Sequence, residues 1–171
     1  YCTLALFFVF FLSCEKRTKE ERSFTVPADF SSIQAAIDAS VNGDTIFVQP
    51  GIYKENINFN GKDIIVCSFD PDDPEIVETT IIDGNHMGTV VTFNSGETES
   101  AVLNGFTLRN GDAGSSNGGG IIIANTSKPV IKNNIIINNT AQYGAGICVS
   151  DQSQPVIENN IFEANTADGS R

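Results

Sequence analysis

Arg109 is the side chain in this 171-residue sequence that we consider first as a catalytic candidate. It is the only arginine between the charged segment near the N-terminus and Arg171. Because side chains alternate along a strand, a strand that buries Phe106 and Leu108 turns Arg109 outward, where a proton-abstracting residue has to lie. The alternative interpretation is a solvated charge on an outer face. The sequence therefore leaves open whether the protein is catalytic.

Four carboxylates could supply oxygen ligands to Ca²⁺, a cation that is bound mainly by oxygen. They are Asp83, Asp112, Asp151 and Glu158, and we expect them on one face of the molecule. The alternative is that they are ordinary turn and surface acids. His86, the single histidine, lies in a loop containing Gly and Asn and is predicted to be at the surface. Calcium thus stays open as a cofactor.

The segments that carry these residues repeat along the chain. Pro129 and Pro155 are 26 positions apart, and so are Asn134 and Asn160. A period of about 20–50 residues is typical of solenoids. Each repeat contains runs of β-branched residues that are too short for helices. The sequence therefore predicts an all-β fold, a right-handed, single-stranded parallel β-helix with one coil per repeat.

The repeat becomes less regular towards the N-terminus. Residues 101–110 align with residues 130–139 at a spacing of 29, and residues 80–84 align with residues 101–105 at a spacing of 21. We interpret the uneven spacing as insertions in loops between constant strand segments. The Gly- and Ser-rich run at 111–120 would hold the extra residues of one coil.

Asparagine and glycine are predicted to form the corners of each coil. Asn134 and Asn160 occupy equivalent positions in adjacent repeats, so their amides would stack in a ladder. Gly120 and Gly146 show the same spacing, and glycine permits backbone conformations that a tight corner needs. These four residues are therefore assigned a structural role as turn residues.

The N-terminal segment is predicted to direct export. Residues 1–14 contain an apolar run that is too short to span a bilayer and resembles the core of a signal peptide. The run ends in Phe-Leu-Ser-Cys, which is similar to a bacterial lipobox in which Cys14 would carry the lipid. The alternatives are an ordinary secretory signal and a membrane anchor. Charged residues 15–23 would form a solvated tether.

This leader predicts a secreted protein or an outer-membrane, cell-surface lipoprotein that contacts the membrane only through its lipid anchor. The sequence opens with Tyr1 and lacks the basic start of a signal peptide, so we interpret it as a fragment at its N-terminus. The β-helix domain is assigned to residues 24–171, with further coils expected beyond them.

Acidic residues dominate the chain after the tether. Residues 23–171 hold 6 Lys and Arg against 18 Asp and Glu, a net charge of −12. This balance disfavours nucleic acid as a partner, because binding it depends on neutralising phosphates. A polyuronate would need a bridging cation such as Ca²⁺. Cys67 and Cys148 lie in apolar strand runs on distant coils, where we expect no disulfide.

A short helix is predicted near the start of the β-helix. Ser31 and Gln34 fit a capping box, and Ile33, Ala36 and Ile37 repeat at helical spacing. Such a helix would cover the apolar end and the open strand edges of the first coil.

Residues 30–39, 43–48 and 50–57 resemble the opening of pectin-lyase-like right-handed β-helix proteins. The resemblance implies a protein that binds or processes polysaccharide of the pectin or uronate type, as a lyase, esterase or epimerase if it is catalytic. The catalytic motifs of those enzymes are not visible in the sequence.

A second resemblance links residues 119–121 and 162–165 to the short repeats of polymorphic outer-membrane adhesins. It implies the alternative of a non-catalytic surface adhesin or structural solenoid. A further interpretation is that these residues serve packing at the coil corners.

Overall fold

The computed structural model describes residues 21–169, which form a stack of parallel β-strands around an apolar core. All strand pairings among these residues are parallel, and the longest sheet takes one strand from each of six coils. The predicted parallel β-helix is therefore confirmed. The leader at 1–14, with Cys14, and residues 15–20 of the tether lie outside the described residues.

The bounds of the helices and strands follow in chain order. They are β1 (Ser23–Val26), α1 (Ile33–Ala39), β2 (Thr45–Val48), β3 (Gly51–Lys54), β4 (Ile57–Asn58), β5 (Ile65–Ser68), α2 (Pro74–Thr79), β6 (Thr80–Asp83), β7 (Val91–Phe93), β8 (Val102–Asn104), β9 (Thr107–Arg109), β10 (Ile121–Ile123), β11 (Val130–Lys132), β12 (Ile135–Ile137), β13 (Thr140–Ala141), β14 (Ile147–Val149), β15 (Val156–Glu158), β16 (Ile161–Glu163) and β17 (Thr166–Ala167).

The strands form three long sheets that run along the stack and one short sheet. Sheet A contains β1, β2, β5, β8, β11 and β15. Sheet B contains β3, β6, β9, β12 and β16, and sheet C contains β4, β7, β10 and β14. Strands β13 and β17 form the short sheet D. Equivalent residues of successive coils therefore lie in register on one sheet.

The register corrects two predicted alignments. Val102 pairs with Val130, a spacing of 28, so the predicted spacing of 29 was wrong by one residue. Ile81 pairs with Thr107 in sheet B, so residues 80–84 do not align with residues 101–105. The error arose because each coil contains several similar apolar segments that end in Gly or Asn, and segments of neighbouring sheets were matched with one another.

Helix α1 covers the start of the stack, as the sequence predicts. The predicted capping box of Ser31 and Gln34 was wrong by one residue, because the Ser32 hydroxyl accepts a hydrogen bond from the Ala35 N–H at 3.2 Å and caps the helix. The Gln34 side chain instead donates to Asp38 and accepts from the Asn58 N–H. The helix buries its own Ile33, Ala36 and Ile37 side chains fully. Burying one such large aliphatic side chain stabilises the fold by about 1.5–3 kcal/mol.

Helix α2 was not predicted from the sequence. The Asp73 carboxylate caps it by accepting from the Glu75 N–H at 2.9 Å, and Pro74 occupies the first turn. Val77 is buried against sheet B, where its carbonyl accepts a hydrogen bond from the Thr107 hydroxyl at 3.0 Å. The helix contacts β6 and β9 from outside the stack.

Inward-facing side chains form rows along the stack. In sheet A one row runs through Ile46, Val66, Leu103 and Ile131, all fully buried. Ile157 continues the row in the last coil and is 42% exposed, because none of the described residues stacks on it. The core is therefore continuous from the helical cap to the fifth coil and opens at the sixth.

An amide ladder joins Asn134 to Asn160. The Asn134 Nδ2 donates to Asn160 Oδ1 at 3.0 Å, and Asn160 Nδ2 donates in turn to the Ile131 carbonyl at 2.8 Å. A second ladder, not foreseen from the sequence, joins Asn139 Nδ2 to Asn165 Oδ1 at 3.0 Å. At the corners, Asn134 Oδ1 accepts from the Phe106 N–H and Asn139 Oδ1 accepts from the Gly111 N–H, and both donors lie outside the strands.

The glycines that need a left-handed backbone are not the predicted ones. Gly118 and Gly144 have φ of 76° and 60°, whereas Gly120 and Gly146 avoid the left-handed region. Gly120 is instead required by close packing, because a Cβ there would lie 2.5 Å from the Gly146 carbonyl oxygen. A Cβ on Gly146 would first meet Phe162 Cδ1 at 3.0 Å. Gly120 and Gly146 both lie in bends just before β10 and β14, so they remain corner residues, and close packing rather than a left-handed backbone is what requires glycine there.

Candidate functional site

A cleft of about 230 Å³ lies on the outside of the stack, at the corner between sheets A and B. One wall is the inserted segment that contains α2, and the floor consists of the outer face of β12 and β16 with the adjoining corner asparagines. The lining residues are Pro71, Asp72, Pro74 and Val77 of the wall and Asn133, Asn134, Ile135, Asn159 and Ile161 of the floor.

The wall exists because one corner is longer than its equivalents. Eleven residues, 69–79, separate β5 from β6, whereas Asn133 and Asn134 alone separate β11 from β12. Pro71 packs against the next coil so closely that a Cβ on Gly105 would lie 2.5 Å from the Pro71 Cβ. Gly105 also has a φ of 82°, so a side chain there would be strained. The insertion is therefore seated on the glycine of the following coil.

The floor is an apolar row on sheet B. Thr107, Ile135 and Ile161 are in register on β9, β12 and β16. Helix α2 covers Thr107, which is buried, but leaves Ile135 partly exposed and Ile161 58% exposed. Two aliphatic side chains from adjacent coils therefore face the cleft, about one strand spacing of 4.7–4.9 Å apart.

Polar groups border this apolar row. Asn133 and Asn159 adopt left-handed conformations with φ of 55° and 53°, which turn the chain between sheets A and B. Asn133 Nδ2 donates to Asn104 Oδ1 at 3.0 Å. Within residues 21–169, the side chains of Asp72 and Asn159 make no hydrogen bond, so both are available to a ligand. The cleft combines two aliphatic surfaces with amide and carboxylate groups.

Arg109, the predicted candidate base, is committed to an ion pair. Its Nε donates to Asp83 Oδ2 at 2.8 Å, and Asn110 Nδ2 donates to the same carboxylate. Burial would raise the pKa of Asp83, but hydrogen bonds from Arg109, the Asn85 N–H and Asn110 outweigh it and hold that pKa below its ordinary value. The Arg109 Nε is therefore occupied by a structural ion pair within sheet B.

The four predicted calcium ligands are not brought together. Asp83 lies in sheet B and Glu158 in sheet A, Asp112 pairs with Thr140 beside sheet D, and Asp151 lies in a turn after β14. Among the described residues, no group of three His, Cys, Asp or Glu side chains could hold a metal ion. The expectation of a shared face was wrong because the sequence spacings of these residues do not match the 26 to 28 residues between equivalent positions of the last three coils.

The remaining candidates lie apart from the cleft. His86 is exposed in the turn after β6, with φ of 58°. Cys67 in sheet A and Cys148 in sheet C are free thiols, and burial raises the pKa of the Cys67 thiol to about 11. These features give neither cysteine the depressed pKa of a nucleophile.

Comparison with known proteins supports the fold. Residues 97–171 match the family described as right handed beta helix region. The chain fits the right-handed parallel β-helix superfamily. No curated protein and no solved structure matches this β-helix protein. In the part of the β-helix protein that the structure describes, no helix has both the length and the apolar character needed to cross a membrane.

Proposed function

We propose that this β-helix protein is exported and binds polysaccharide non-covalently in the cleft between α2 and sheet B. The observation that carries the proposal is the pairing of an inserted wall with an open floor on an otherwise repetitive surface. Binding sites are usually concave, with apolar lining and a few polar groups that orient the ligand. The cleft has this composition.

The lining suits the two surfaces of a sugar ring. Ile135 and Ile161 offer aliphatic contacts to the C–H faces of the ring, and they are spaced along the stack as successive units of a polymer are. Asp72 and Asn159 can accept and donate hydrogen bonds to hydroxyl groups. A polymer lying along the stack would meet an aliphatic side chain and a corner asparagine in each of the two coils that form the floor.

The geometry favours binding over cleavage. Arg109, the strongest candidate for a lyase base, is bonded to Asp83 and lies outside the cleft lining. The described residues that do line the cleft include one carboxylate, Asp72, and no cationic side chain. General acid–base catalysis would need one group that donates a proton and a second group that accepts a proton at the same bond.

The repeats that resemble adhesins are accounted for by packing. Gly120 lies under the Gly146 carbonyl, and Asn165 belongs to the second amide ladder. Export to the cell surface belongs to the proposal and is supported by the leader pattern at 1–14, with Cys14 as the lipid attachment site.

The floor provides a test with a matched control. Ile161 and Ile52 are both 58% exposed on the same outward row of sheet B, but only Ile161 lines the cleft. In affinity electrophoresis through gels that contain neutral, amine-bearing or uronate polysaccharides, we expect at least one polymer to retard the full chain. Ile161→Ser should weaken that retardation severalfold, and Ile52→Ser should not. Equal retardation of both variants, or no retardation by any polymer, would contradict the proposal.

A further inference from the structure

We infer that the cleft selects glycans with free amino groups, such as glucosamine polymers, over uronate polymers. The inference rests on the proposed function and names its ligand class. The inserted wall, residues 69–79, carries five carboxylates and no Lys, Arg or His. Asp72 projects this charge into the cleft and makes no hydrogen bond through its side chain within residues 21–169. An anionic polymer would have to approach that wall against like charge.

Two carboxylates of the wall also accept hydrogen bonds from backbone groups of the wall itself. Asp73 caps α2, and Asp70 accepts a hydrogen bond from the Asp72 N–H at 3.3 Å. An N-terminal cap is stabilised by its negative charge near the helix N-terminus. The wall therefore places five acidic side chains beside an apolar floor, an arrangement that complements a ligand that is cationic at its edge and aliphatic on its ring face.

The spacing of the floor favours a sugar polymer over a basic peptide. Asn133 and Asn159 are one coil apart, as are Ile135 and Ile161, so equivalent groups recur about every 4.7–4.9 Å. The length of one unit in an extended β-linked hexose chain is close to this distance. An extended peptide presents side chains to one face only every second residue, about 6.6 Å apart. A hexosamine chain along the stack would thus place one ring over each coil.

The magnitude of the charge effect can be worked out for one pair. An ammonium about 5 Å from the Asp72 carboxylate in water gains an attraction that corresponds to about a fourfold change in affinity. We therefore expect Asp72→Asn to weaken binding of an amine-bearing glycan about fourfold and to leave binding of a neutral glycan nearly unchanged. Glu99→Gln removes the same charge from an exposed position in the loop between β7 and β8 and is the matched control.

The experiment is calorimetric titration of the full chain with hexamers of glucosamine, N-acetylglucosamine and galacturonate, and with a lysine hexamer, at mildly acidic pH and low salt. The expected result is tightest binding of the glucosamine hexamer, weaker binding of the neutral hexamer and the weakest binding of the galacturonate hexamer. Added salt should reduce the preference for the amine, because exposed charges are screened.

The outcomes separate the two proposals. Equal affinity for the charged and neutral sugars, or tighter binding of galacturonate, overturns the inference and leaves polysaccharide binding in place. A lysine hexamer that binds as tightly as the glucosamine hexamer also overturns it, since charge alone would then explain the binding. If no sugar binds, the proposed function fails together with the inference. If Asp72→Asn and Glu99→Gln have equal effects, the cleft is not the site of selection.

Discussion

Asn134 allows a direct test of how much the buried amide ladder stabilises the β-helix. Its side chain is fully buried. Its Oδ1 accepts from the Phe106 N–H at 2.9 Å, and its Nδ2 donates to the Leu103 carbonyl at 3.3 Å and to Asn160 Oδ1 at 3.0 Å. An Asn134→Ala substitution removes these bonds without touching the strands on either side.

We expect a large loss of stability because the backbone groups that lose their hydrogen-bond partner stay buried. The Phe106 N–H and the Leu103 carbonyl each lose a partner, and a buried unsatisfied group costs about 1–3 kcal/mol. We therefore expect Asn134→Ala to lower the free energy of unfolding by about 3 kcal/mol. Asn160→Ala deletes the same kind of side chain in the last coil, where water can replace the lost bonds. Its cost should stay below about 1 kcal/mol.

The assay is urea unfolding of the full chain, followed by far-ultraviolet circular dichroism. Asn139→Ala provides a repeat of the test, because Asn139 is also fully buried and accepts from the Gly111 N–H at 2.8 Å. Both buried variants should move the unfolding midpoint clearly further than Asn160→Ala does. Equal midpoints for Asn134→Ala and Asn160→Ala would refute the reasoning that burial sets the value of these bonds.

Two further predictions concern stability. Gly120→Ala should cost about 1–3 kcal/mol, because its Cβ would lie 2.5 Å from the Gly146 carbonyl oxygen, which the Ile121 N–H holds in place at 2.9 Å. Gly146→Ala should cost much less, since the Phe162 ring that it meets is half exposed and can move. Equal melting temperatures for the two variants would contradict this. Burial would raise the pKa of Asp44, but hydrogen bonds from Arg22 and the Val41 N–H lower it from 3.8 to about 2. Because the folded-state pKa of Asp44 is depressed, its ionised carboxylate stabilises the protein above pH 3.8, and this stabilisation is lost as the pH falls towards 2. Asp44→Asn should therefore be less stable than the wild type at neutral pH and should lose less stability as the pH falls through that interval. Parallel pH–stability curves for the two proteins would contradict this assignment.

The period of 26 residues was sufficient to predict the fold. It predicts which residues recur on one sheet, and Val130 and Val156 are paired as that period requires. The capping helix could also be predicted, since the spacing of Ile33, Ala36 and Ile37 is a local signal, although its N-cap is Ser32 and not the predicted Ser31. The fold and the capping helix could therefore be predicted because they follow from the strict repeat and from a local residue pattern.

Positions that depend on insertions could not be predicted in the same way. The register between Val102 and Val130 was missed by one residue, because the sequence does not show at which corner the extra residues lie. The sequence also does not show which glycine of a corner needs a left-handed backbone, since Gly118 and Gly120 are both glycine and only the structure separates a positive φ from a close approach. The signals for α2, an aspartate cap followed by proline at Asp73 and Pro74, were present but were overlooked in favour of the repeat.

The same irregularity is what gives this surface its candidate site. In a regular coil the corner between sheets A and B is two residues long, as at Asn133 and Asn134, and its side chains serve the ladder. The longer corner at 69–79 folds outward over β9 and ends before β12, so Ile135 and Ile161 stay accessible beside it. Since each coil of a solenoid contacts only the neighbouring coils, one insertion can create a wall without disturbing the core. The core follows from the repeat, and the cleft follows from its single long interruption at this corner within the described coils.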